Sequence, residues 1–366
     1  MSANNRLRCI VAGALGSKRG KGGHAWTRMT YALGLRRLGF DVLYVEQLTD
    51  ASEQDHAYFT SVCSEFDVRG CLFSNSPPGW LVEQAHDAQL LVNIGGHLTV
   101  NELKSARVRI YVDDDPGYTQ YWHAQGLIED RLAGHDSYFT YALNIDGPGS
   151  LLPRGDIRWL VTRPPVLLEH WPRVIGASRD FTTVGSWRGP YGRIEAAGRL
   201  FGQKAHQFRT FVDLPDRVAH RFEIALDIDS SDGQDKALLQ QHGWQLLDPV
   251  AAVGAPNDFR QFVQDSRAEF SVAQGIYVET GSGWFSDRTT CYLSSGKPTL
   301  VQDCGWSGHL PLGEGLVPFS TIEEAVGGAE EIDRDYAFHS KSARAIAEEH
   351  FDSDKVLSRL LDLAGV

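Results

Sequence analysis

Short apolar segments alternate with amphipathic stretches along most of this chain, and loops rich in glycine or aspartate follow several of them. In the first half, the predicted strands lie at residues 7–14, 41–46, 90–94, 108–112, 138–143 and 157–161. A helix is predicted at residues 25–38. Strands separated by helices indicate βαβ units and a parallel sheet, in which ligands bind beyond the carboxyl ends of the strands.

The second half repeats this alternation after a proline-rich connection at residues 162–180. The next predicted strands lie at residues 181–185, 208–212, 222–228, 243–247, 268–273 and 299–302. Residues 335–363 have a helical pattern with a break at 351–353. A chain of 366 residues is too long for one ordinary core. We therefore expect two α/β domains, at residues 1–165 and 166–335, followed by helices at 336–366.

Composition and charge narrow the class of protein. The chain is 42% hydrophobic and 22% charged, as soluble globular proteins are, and its net charge is −12. Because a nucleic-acid partner needs a basic face, this charge makes nucleic acid an unexpected partner. Five scattered cysteines without CxxC spacing predict reduced thiols. No run fits a membrane span or a signal peptide, which predicts a cytoplasmic protein, and the oligomeric state stays open.

Residues 281–303 read GSGWFSDRTTCYLSSGKPTLVQD, a glycine-rich loop that leads into a short helix and then a strand. The helix is expected to end at Gly296, because glycine readily closes a last helical turn. Free backbone N–H groups at its start, beside Ser286 and Arg288, form a ready site for a phosphate group. The segment therefore predicts a nucleotide-linked ligand with its diphosphate at this helix start.

A second candidate site follows the first predicted strand, where residues 16–24 read GSKRGKGGH. Gly22 and Gly23 allow a ligand to approach the backbone, and the basic residues of the loop add positive charge. The spacing matches neither a Walker A loop nor GxGxxG, so a flexible basic surface turn is an equal alternative. His24, at the entry to the first helix, is either a capping residue or a base near neutral pH.

Three carboxylates in a row, Asp113, Asp114 and Asp115, follow the predicted strand at 108–112. Mutual repulsion can raise the pKa of one of them, which suits a general base. Metal binding is a further option, although no other ligand falls at a recognisable spacing, and aspartates before Pro-Gly also form ordinary turns. Their place at the carboxyl end of a strand favours a functional role.

Ser186, Trp187 and Arg188 follow the first strand of the second half. Arg188 could bind a phosphate group and Trp187 offers a face for stacking, with a plain connecting loop as the alternative.

Together these features resemble glycosyltransferases of the GT-B architecture, in which two Rossmann-like domains face each other across a cleft. The most specific match is residues 292–298, YLSSGKP, which are similar to the helix end and the Gly-Lys/Arg-Pro turn of their donor-binding domains. Many such enzymes carry a spaced pair of glutamates before that turn. The corresponding positions here are Gly283 and Cys291, and a Glu279–Asp287 pair lies displaced towards the N-terminus.

The resemblance implies an α/β fold of two Rossmann-like domains, with C-terminal helices that cross back towards the first domain. It implies transfer of a sugar from a nucleoside-diphosphate sugar to an unidentified acceptor, with His24 as the base, Asp114 as the competing candidate, and no cofactor or metal. The residues expected to contact the donor are Gly22, Gly23, Ser186, Trp187, Arg188, Glu279, Gly283, Trp284, Ser286, Asp287 and Arg288. A sugar-nucleotide epimerase of the same fold and a non-catalytic nucleotide- or sugar-binding protein are the alternatives.

Overall fold

The computed structural model describes residues 7–175, 180–196 and 198–366. Seven strands of the first half form one parallel sheet in the order β3-β2-β1-β4-β5-β6-β7. They are β1 (Arg8–Ala12), β2 (Asp41–Gln47), β3 (Arg69–Phe73), β4 (Leu90–Ile94), β5 (Val108–Asp113), β6 (Ser137–Thr140) and β7 (Trp159–Val161). The first six have the strand order of a Rossmann sheet.

The described strands of the second half form a further parallel sheet and a small hairpin. They are β8 (Asp180–Ser186), β9 (Ile194–Ala196), β10 (Arg199–Phe201), β11 (Arg221–Asp227), β12 (Gln245–Leu247), β13 (Ala268–Ser271), β14 (Thr299–Gln302) and β15 (Leu316–Phe319). The sheet has the order β12-β11-β8-β13-β14-β15, and β9 pairs with β10 in antiparallel orientation. This is the Rossmann order again, so the predicted pair of Rossmann-like domains is confirmed.

Helices cover the faces of both sheets. They are α1 (Gly22–Arg37), α2 (Glu53–Glu65), α3 (Gly79–His86), α4 (Tyr118–Ala124), α5 (Glu129–Leu132), α6 (Lys204–Phe208), α7 (Leu214–Arg217), α8 (Gly233–Gln241), α9 (Pro249–Val253), α10 (Pro256–Asp265), α11 (Gly275–Thr280), α12 (Asp287–Ser294), α13 (Ile322–Arg334), α14 (Tyr336–His350) and α15 (Ser353–Ala364).

The predicted stop of α12 at Gly296 is confirmed. Gly296 has a φ of +70°, a left-handed conformation that glycine adopts without a steric penalty. Its N–H donates to the Leu293 carbonyl at 3.0 Å, and the N–H of Lys297 donates to the Tyr292 carbonyl at 2.9 Å. These two bonds form a Schellman motif, which satisfies the last carbonyls of the helix.

The C-terminal helices return to the first domain, as expected from the resemblance. α14 ends at a break that includes Phe351, and α15 then packs on α1 so closely that a Cβ added at Gly34 would lie 2.5 Å from Leu357. The N–H of Val166 donates to the Phe351 carbonyl at 2.8 Å, and the N–H of Ser353 donates to the Val166 carbonyl at 2.9 Å. Because the tail is anchored at this point of the connection, we propose the domain boundary immediately before Val166.

The strand predicted at residues 208–212 is wrong. This segment contains the end of α6 and a 3₁₀ turn, Arg209–Phe211. Phe208 and Phe211 are both buried and both contact Phe270. Their spacing of three places them on one helical face, and this packing outweighs the strand preference of aromatic residues.

The ends of several other predicted strands differ by a few residues from those in the structure. The strands predicted at 90–94 and 299–302 coincide with β4 and β14, whereas the strand predicted at 138–143 ends at Thr140. β3, β15 and the β9–β10 hairpin were not predicted from the sequence. These strands are short, and Gly70 interrupts the apolar pattern of β3.

Candidate functional site

Two adjoining cavities lie between the domains. The first, of about 240 Å³, has aromatic walls that include Trp122, Tyr191 and Trp284, and we call it the aromatic cavity. It lies beyond the carboxyl ends of β1 and β4, where the strand order of the first sheet reverses. Ligands of open α/β sheets bind at such reversal points.

The second cavity, of about 320 Å³, lies between the loop at residues 19–23 and the carboxyl end of β8, which includes Gly185. We call it the glycine cavity. Lys21, His24 and Asp287 line both cavities, so the two spaces meet at these side chains. A ligand that fills both would cross from one domain to the other.

Gly22 and Gly23 allow α1 of the first domain to begin against the second domain. A Cβ added at Gly22 would lie 2.2 Å from the carbonyl oxygen of Ala255, and one at Gly23 would lie 2.9 Å from the ring of Phe259. α1 has no side-chain cap and no acidic residue in its first turn. Its N-terminus is therefore favourable for an anion in the glycine cavity, which both glycines line.

The start of α12 carries its own negative charge. Ser286 is the buried N-cap residue, and its hydroxyl makes no capping bond. The Asp287 carboxylate accepts hydrogen bonds from the Thr27 hydroxyl across the domain interface and from the N–H of Arg288 at 2.8 Å. A phosphate group at this helix start would be repelled by Asp287, which makes the site less favourable than the sequence pattern indicated.

Arg288 lines the glycine cavity, but its guanidinium is bound to the second sheet. Nε donates to Oε1 of Glu269, Nη1 to the Val184 carbonyl and Nη2 to the Ser271 hydroxyl, each at 2.6 Å. Burial acts to lower the pKa of Arg288, but the adjacent Glu269 outweighs it and the net shift is upward. The guanidinium keeps further N–H groups that these bonds do not use, and the predicted diphosphate contact depends on them.

The structure contradicts the roles predicted for Trp187 and Arg188. Trp187 is 1% exposed and donates its indole N–H to Asp235 at 2.8 Å, so it offers no face for stacking. Arg188 forms an ion pair with Asp232 and lines neither cavity. Arginine suits a phosphate group and tryptophan suits stacking, but the acidic partners of these two residues, on α8 and in the turn before it, lie more than forty positions away along the chain.

Glu279 and Gly283 also have structural contacts in place of the predicted donor contacts. Glu279 accepts the N–H of Gly202 at 2.8 Å and lines neither cavity. Gly283 has a φ of +74°, and a Cβ there would lie 2.5 Å from the backbone nitrogen of Asn144, so this glycine lets the domains touch. Trp284, the next residue, does line the aromatic cavity.

Lys204 is a further residue of the site, which no pattern in the sequence marks. Its Nζ lies beside the glycine cavity, 3.4 Å from a Cβ built on Gly185. Burial and then the nearby Arg288 lower the pKa of Lys204 to about 7. An anion in the cavity would stabilise its charged form. Ser186 lines the same wall, where its hydroxyl contacts Asp227 at 3.2 Å.

The three aspartates after β5 have different environments. Asp113 is buried and accepts hydrogen bonds at 2.7 Å from Thr119, Gln120 and Thr140, which makes it a structural residue. Asp114 lines the aromatic cavity and forms an ion pair with the buried Arg28 at 2.7 Å.

Asp115 is the member of the triplet that combines a raised pKa with a place in the wall of the aromatic cavity. It lines the aromatic cavity and accepts a hydrogen bond from the Tyr277 hydroxyl at 2.7 Å. Burial and then the charge of Asp114 raise the pKa of Asp115 to about 7, although the Tyr277 bond opposes the shift. Burial also raises the pKa of Asp113, to about 6, but Asp113 lines neither cavity, a distinction that the sequence did not reveal.

His24 lies where the cavities meet. Its Nε2 is 2.8 Å from the Ala14 carbonyl, so Nε2 carries the proton and Nδ1 is left as an acceptor. Burial and then Arg28 lower the pKa of His24 well below its usual value. The imidazole is therefore neutral at pH 7, and the same charges oppose its taking up a proton.

His97 and Arg131 are further lining residues of the aromatic cavity that the sequence analysis did not single out. Burial and then Arg28 lower the pKa of His97 to about 4. Arg131 forms no ion pair with any described residue. His97 lies in the loop after β4 and Arg131 lies on α5, and no spacing pattern in the sequence marks either side chain.

Neither a metal-binding cluster nor a membrane-spanning helix is found among the residues that the structure describes. No group of three or more His, Cys, Asp or Glu side chains is placed to hold a metal ion. No helix in the same set has both the length and the apolar character needed to cross a bilayer.

Comparison with solved structures identifies the architecture. An alpha-glucosyltransferase solved with UDP and a 13-mer DNA matches with a TM-score of 0.63 and 10% identity, over 99% of both chains. HepE of Anabaena, solved with UDP and glucose, matches with a TM-score of 0.61 and 13% identity, over 98% of this chain and 100% of that one. The chain therefore has the GT-B fold, and the predicted resemblance is confirmed at the level of the fold.

An enzyme of another reaction type is also similar. A putative UDP-N-acetylglucosamine 2-epimerase from Listeria monocytogenes matches with a TM-score of 0.50 and 12% identity, over 97% of this chain and 95% of that one. No protein-family model matches the chain, and no curated protein matches it significantly.

Proposed function

We propose that this protein is a glycosyltransferase that moves a sugar from a nucleoside-diphosphate sugar to a hydroxyl group of an acceptor. The observation that supports the proposal is the junction of two cavities at His24 and Asp287, between two Rossmann-like domains. One space can hold the nucleotide and the other the acceptor, with the sugar at the junction. The reported ligands of the similar structures, UDP and UDP-glucose, make a uridine donor the first candidate.

We place the donor diphosphate in the glycine cavity. The N-terminus of α1, Lys21 and Lys204 supply positive charge there, and Arg288 adds its unused N–H groups. These cations can offset the charge that develops on the leaving diphosphate. The opposing carboxylate, Asp287, lies at the junction where the sugar is expected, and hydroxyl groups of the sugar can donate to it.

We place the acceptor in the aromatic cavity. Trp122, Tyr191 and Trp284 present aromatic surface on which an apolar or sugar face can pack. Asp115, with a pKa of about 7, can take the proton of the acceptor hydroxyl. The acceptor oxygen then bonds to the anomeric carbon, the bond to the β-phosphate oxygen breaks, and the nucleoside diphosphate leaves. His24 and Asp114 stay as competing bases.

The first test is a calorimetric titration with UDP, UDP-glucose and uridine. Binding of UDP and UDP-glucose but not of uridine is expected, because the diphosphate supplies the charged contacts. A nucleotide at about a hundredfold excess over its Kd should stabilise the fold by about 2.7 kcal/mol. Lack of binding of any nucleoside diphosphate would contradict the proposal. Epimerisation of the donor without an acceptor would favour the epimerase, and binding without turnover would favour a non-catalytic role.

Lys204 provides a second prediction, on pH. Because its pKa in the free protein is about 7, the charged form must be restored when a diphosphate binds at higher pH. The affinity for UDP should therefore fall between pH 7 and pH 9, by at most about tenfold per pH unit. Calorimetry in buffers of different ionisation enthalpy should show proton uptake. K204Q should bind UDP more weakly and lose the pH dependence, whereas K236Q, at an exposed lysine on α8, should behave like the wild type.

A further inference from the structure

A third cavity, of about 380 Å³, lies where the first domain, the second domain and the C-terminal helices meet. Its cationic side chains are Arg163 after β7 and Lys355 and Arg359 on α15, and the imidazoles of His309 after β14 and His350 at the end of α14 also line it. We call it the basic cavity. It shares no lining residue with the aromatic or the glycine cavity.

Arg163 is half-buried in this cavity, and its hydrogen-bond partners within the described part of the chain carry no negative charge. Its Nη1 lies 3.3 Å from Nδ1 of His350, and its Nη2 donates to the His309 carbonyl at 3.2 Å. Both partners are neutral acceptors, since burial and then Arg163 lower the pKa of His350. Among the described residues, no carboxylate lies within ion-pair distance of Arg163. Burial and then the charge of Arg359 lower the pKa of Arg163, in keeping with this lack of a counter-charge.

The balance of charge in the basic cavity is positive. Glu349 is the one carboxylate among its described lining residues, and it pairs with Lys355 at 2.8 Å. Arg163 and Arg359 are left facing the same space, and within the described residues neither has an acidic partner. An anion between the two guanidiniums would remove their repulsion. The planar donor fork of arginine suits the oxygens of a phosphate group.

We propose that the basic cavity binds the phosphate group of a phosphorylated small molecule. Its volume of about 380 Å³ lies within the range of small-molecule sites, which leaves room for an organic group beside the phosphate. The net charge of −12 argues against a polyanionic polymer. The site does not depend on the proposed transferase activity.

The position of this cavity gives its ligand a structural effect. An anion held by Arg163 and Arg359 would link the first domain to the C-terminal helix. The carbonyl of His309 already accepts a hydrogen bond from Arg163, and Nε2 of His309 lies 3.5 Å from Oδ1 of Asn144. The residue before Asn144, Leu143, donates its N–H to the Gly283 carbonyl of the second domain at 3.4 Å. Occupancy should therefore stabilise the arrangement of the domains.

The test is calorimetry of the full-length protein at low ionic strength, with glucose 6-phosphate, glucose and inorganic phosphate as probes. UDP at saturation, if it binds, keeps the probes out of the glycine cavity. Glucose 6-phosphate should bind and glucose should not, and R163Q/R359Q should lose about tenfold or more in affinity. R107Q/R334Q removes two exposed arginines elsewhere and should bind as the wild type does.

Because Arg163 is half-buried, R359E at an exposed position is the second variant. It reverses a charge with little risk to folding and should also lose about tenfold or more in affinity for glucose 6-phosphate. Equal affinity of R359E and R107Q/R334Q for glucose 6-phosphate would overturn the proposal of a phosphate site in the basic cavity. Binding of inorganic phosphate as tightly as glucose 6-phosphate would overturn its assignment to a phosphorylated small molecule.

Discussion

Replacing Asp115 with Asn is expected to lower kcat by about 10²–10⁴ while the affinity for the donor stays near the wild-type value. The reason is its pKa of about 7, which burial and the charge of Asp114 raise from an ordinary value of 3.8. A base with a pKa near the working pH combines a useful unprotonated fraction with a strong tendency to take the proton. The wild-type rate should rise with pH through about 7, and the residual activity of D115N should not show this rise.

The stability of D115N provides the control for this experiment. A carboxyl whose pKa is higher in the folded state than in the unfolded chain contributes stability that is lost as pH rises from about 4 to about 7. Asn carries no charge at any pH, so D115N should be at least as stable as the wild type at pH 8. Urea unfolding at pH 5 and pH 8 measures this. An inactive variant that is also unfolded would not support the assignment.

His24 is the alternative base, and H24N separates the two candidates. If His24 only orders its loop through the bond to Ala14, H24N should keep most of the turnover. Near-normal turnover in D115N together with a loss of about 10²–10⁴ in H24N would move the base to His24. D114N is less informative, because it leaves the buried Arg28 without its partner and so disturbs the cavity itself.

Structural features that depend on neighbours along the chain could be located from the sequence. The glycines at 22 and 23, the aspartates after β5 and the end of α12 at Gly296 all follow from local rules about strand ends and helix ends. In the structure Asp114, Asp115 and His24 line one cavity, as expected of loops at the carboxyl edge of a parallel sheet.

Prediction failed where a distant partner decides what a side chain does. Trp187 and Arg188 look like a phosphate-binding pair until their bonds to Asp235 and Asp232 are known. Lys204 shows the converse, since no local pattern marks it and its lowered pKa arises from burial and from Arg288. Such partners become neighbours only through the packing of β8, α6 and α12, and this packing cannot be derived from a single sequence.

Arg288→Met should destabilise the protein by about 3–5 kcal/mol, because it leaves Glu269 as a buried carboxylate without its counter-charge. Glu269 is completely buried, and its second oxygen, Oε2, already has no hydrogen-bond partner among the described residues. Urea unfolding of R288M against the wild type measures the loss. A change below about 1 kcal/mol would show that the ion pair with Glu269 contributes little to the fold.

The double variant R288M/E269M separates this structural effect from ligand binding. Replacing both partners of a buried ion pair with apolar side chains of similar volume is often neutral for stability, so the double variant should recover most of what R288M loses. The affinity for UDP can then be measured in a folded protein. A large loss of affinity is expected if the remaining N–H groups of Arg288 bind the diphosphate, since hydrogen bonds to charged groups contribute about 1.5–3 kcal/mol. Unchanged affinity in the stable double variant would show that Arg288 only joins α12 to the sheet, and the donor would then depend on Lys21, Lys204 and the start of α1.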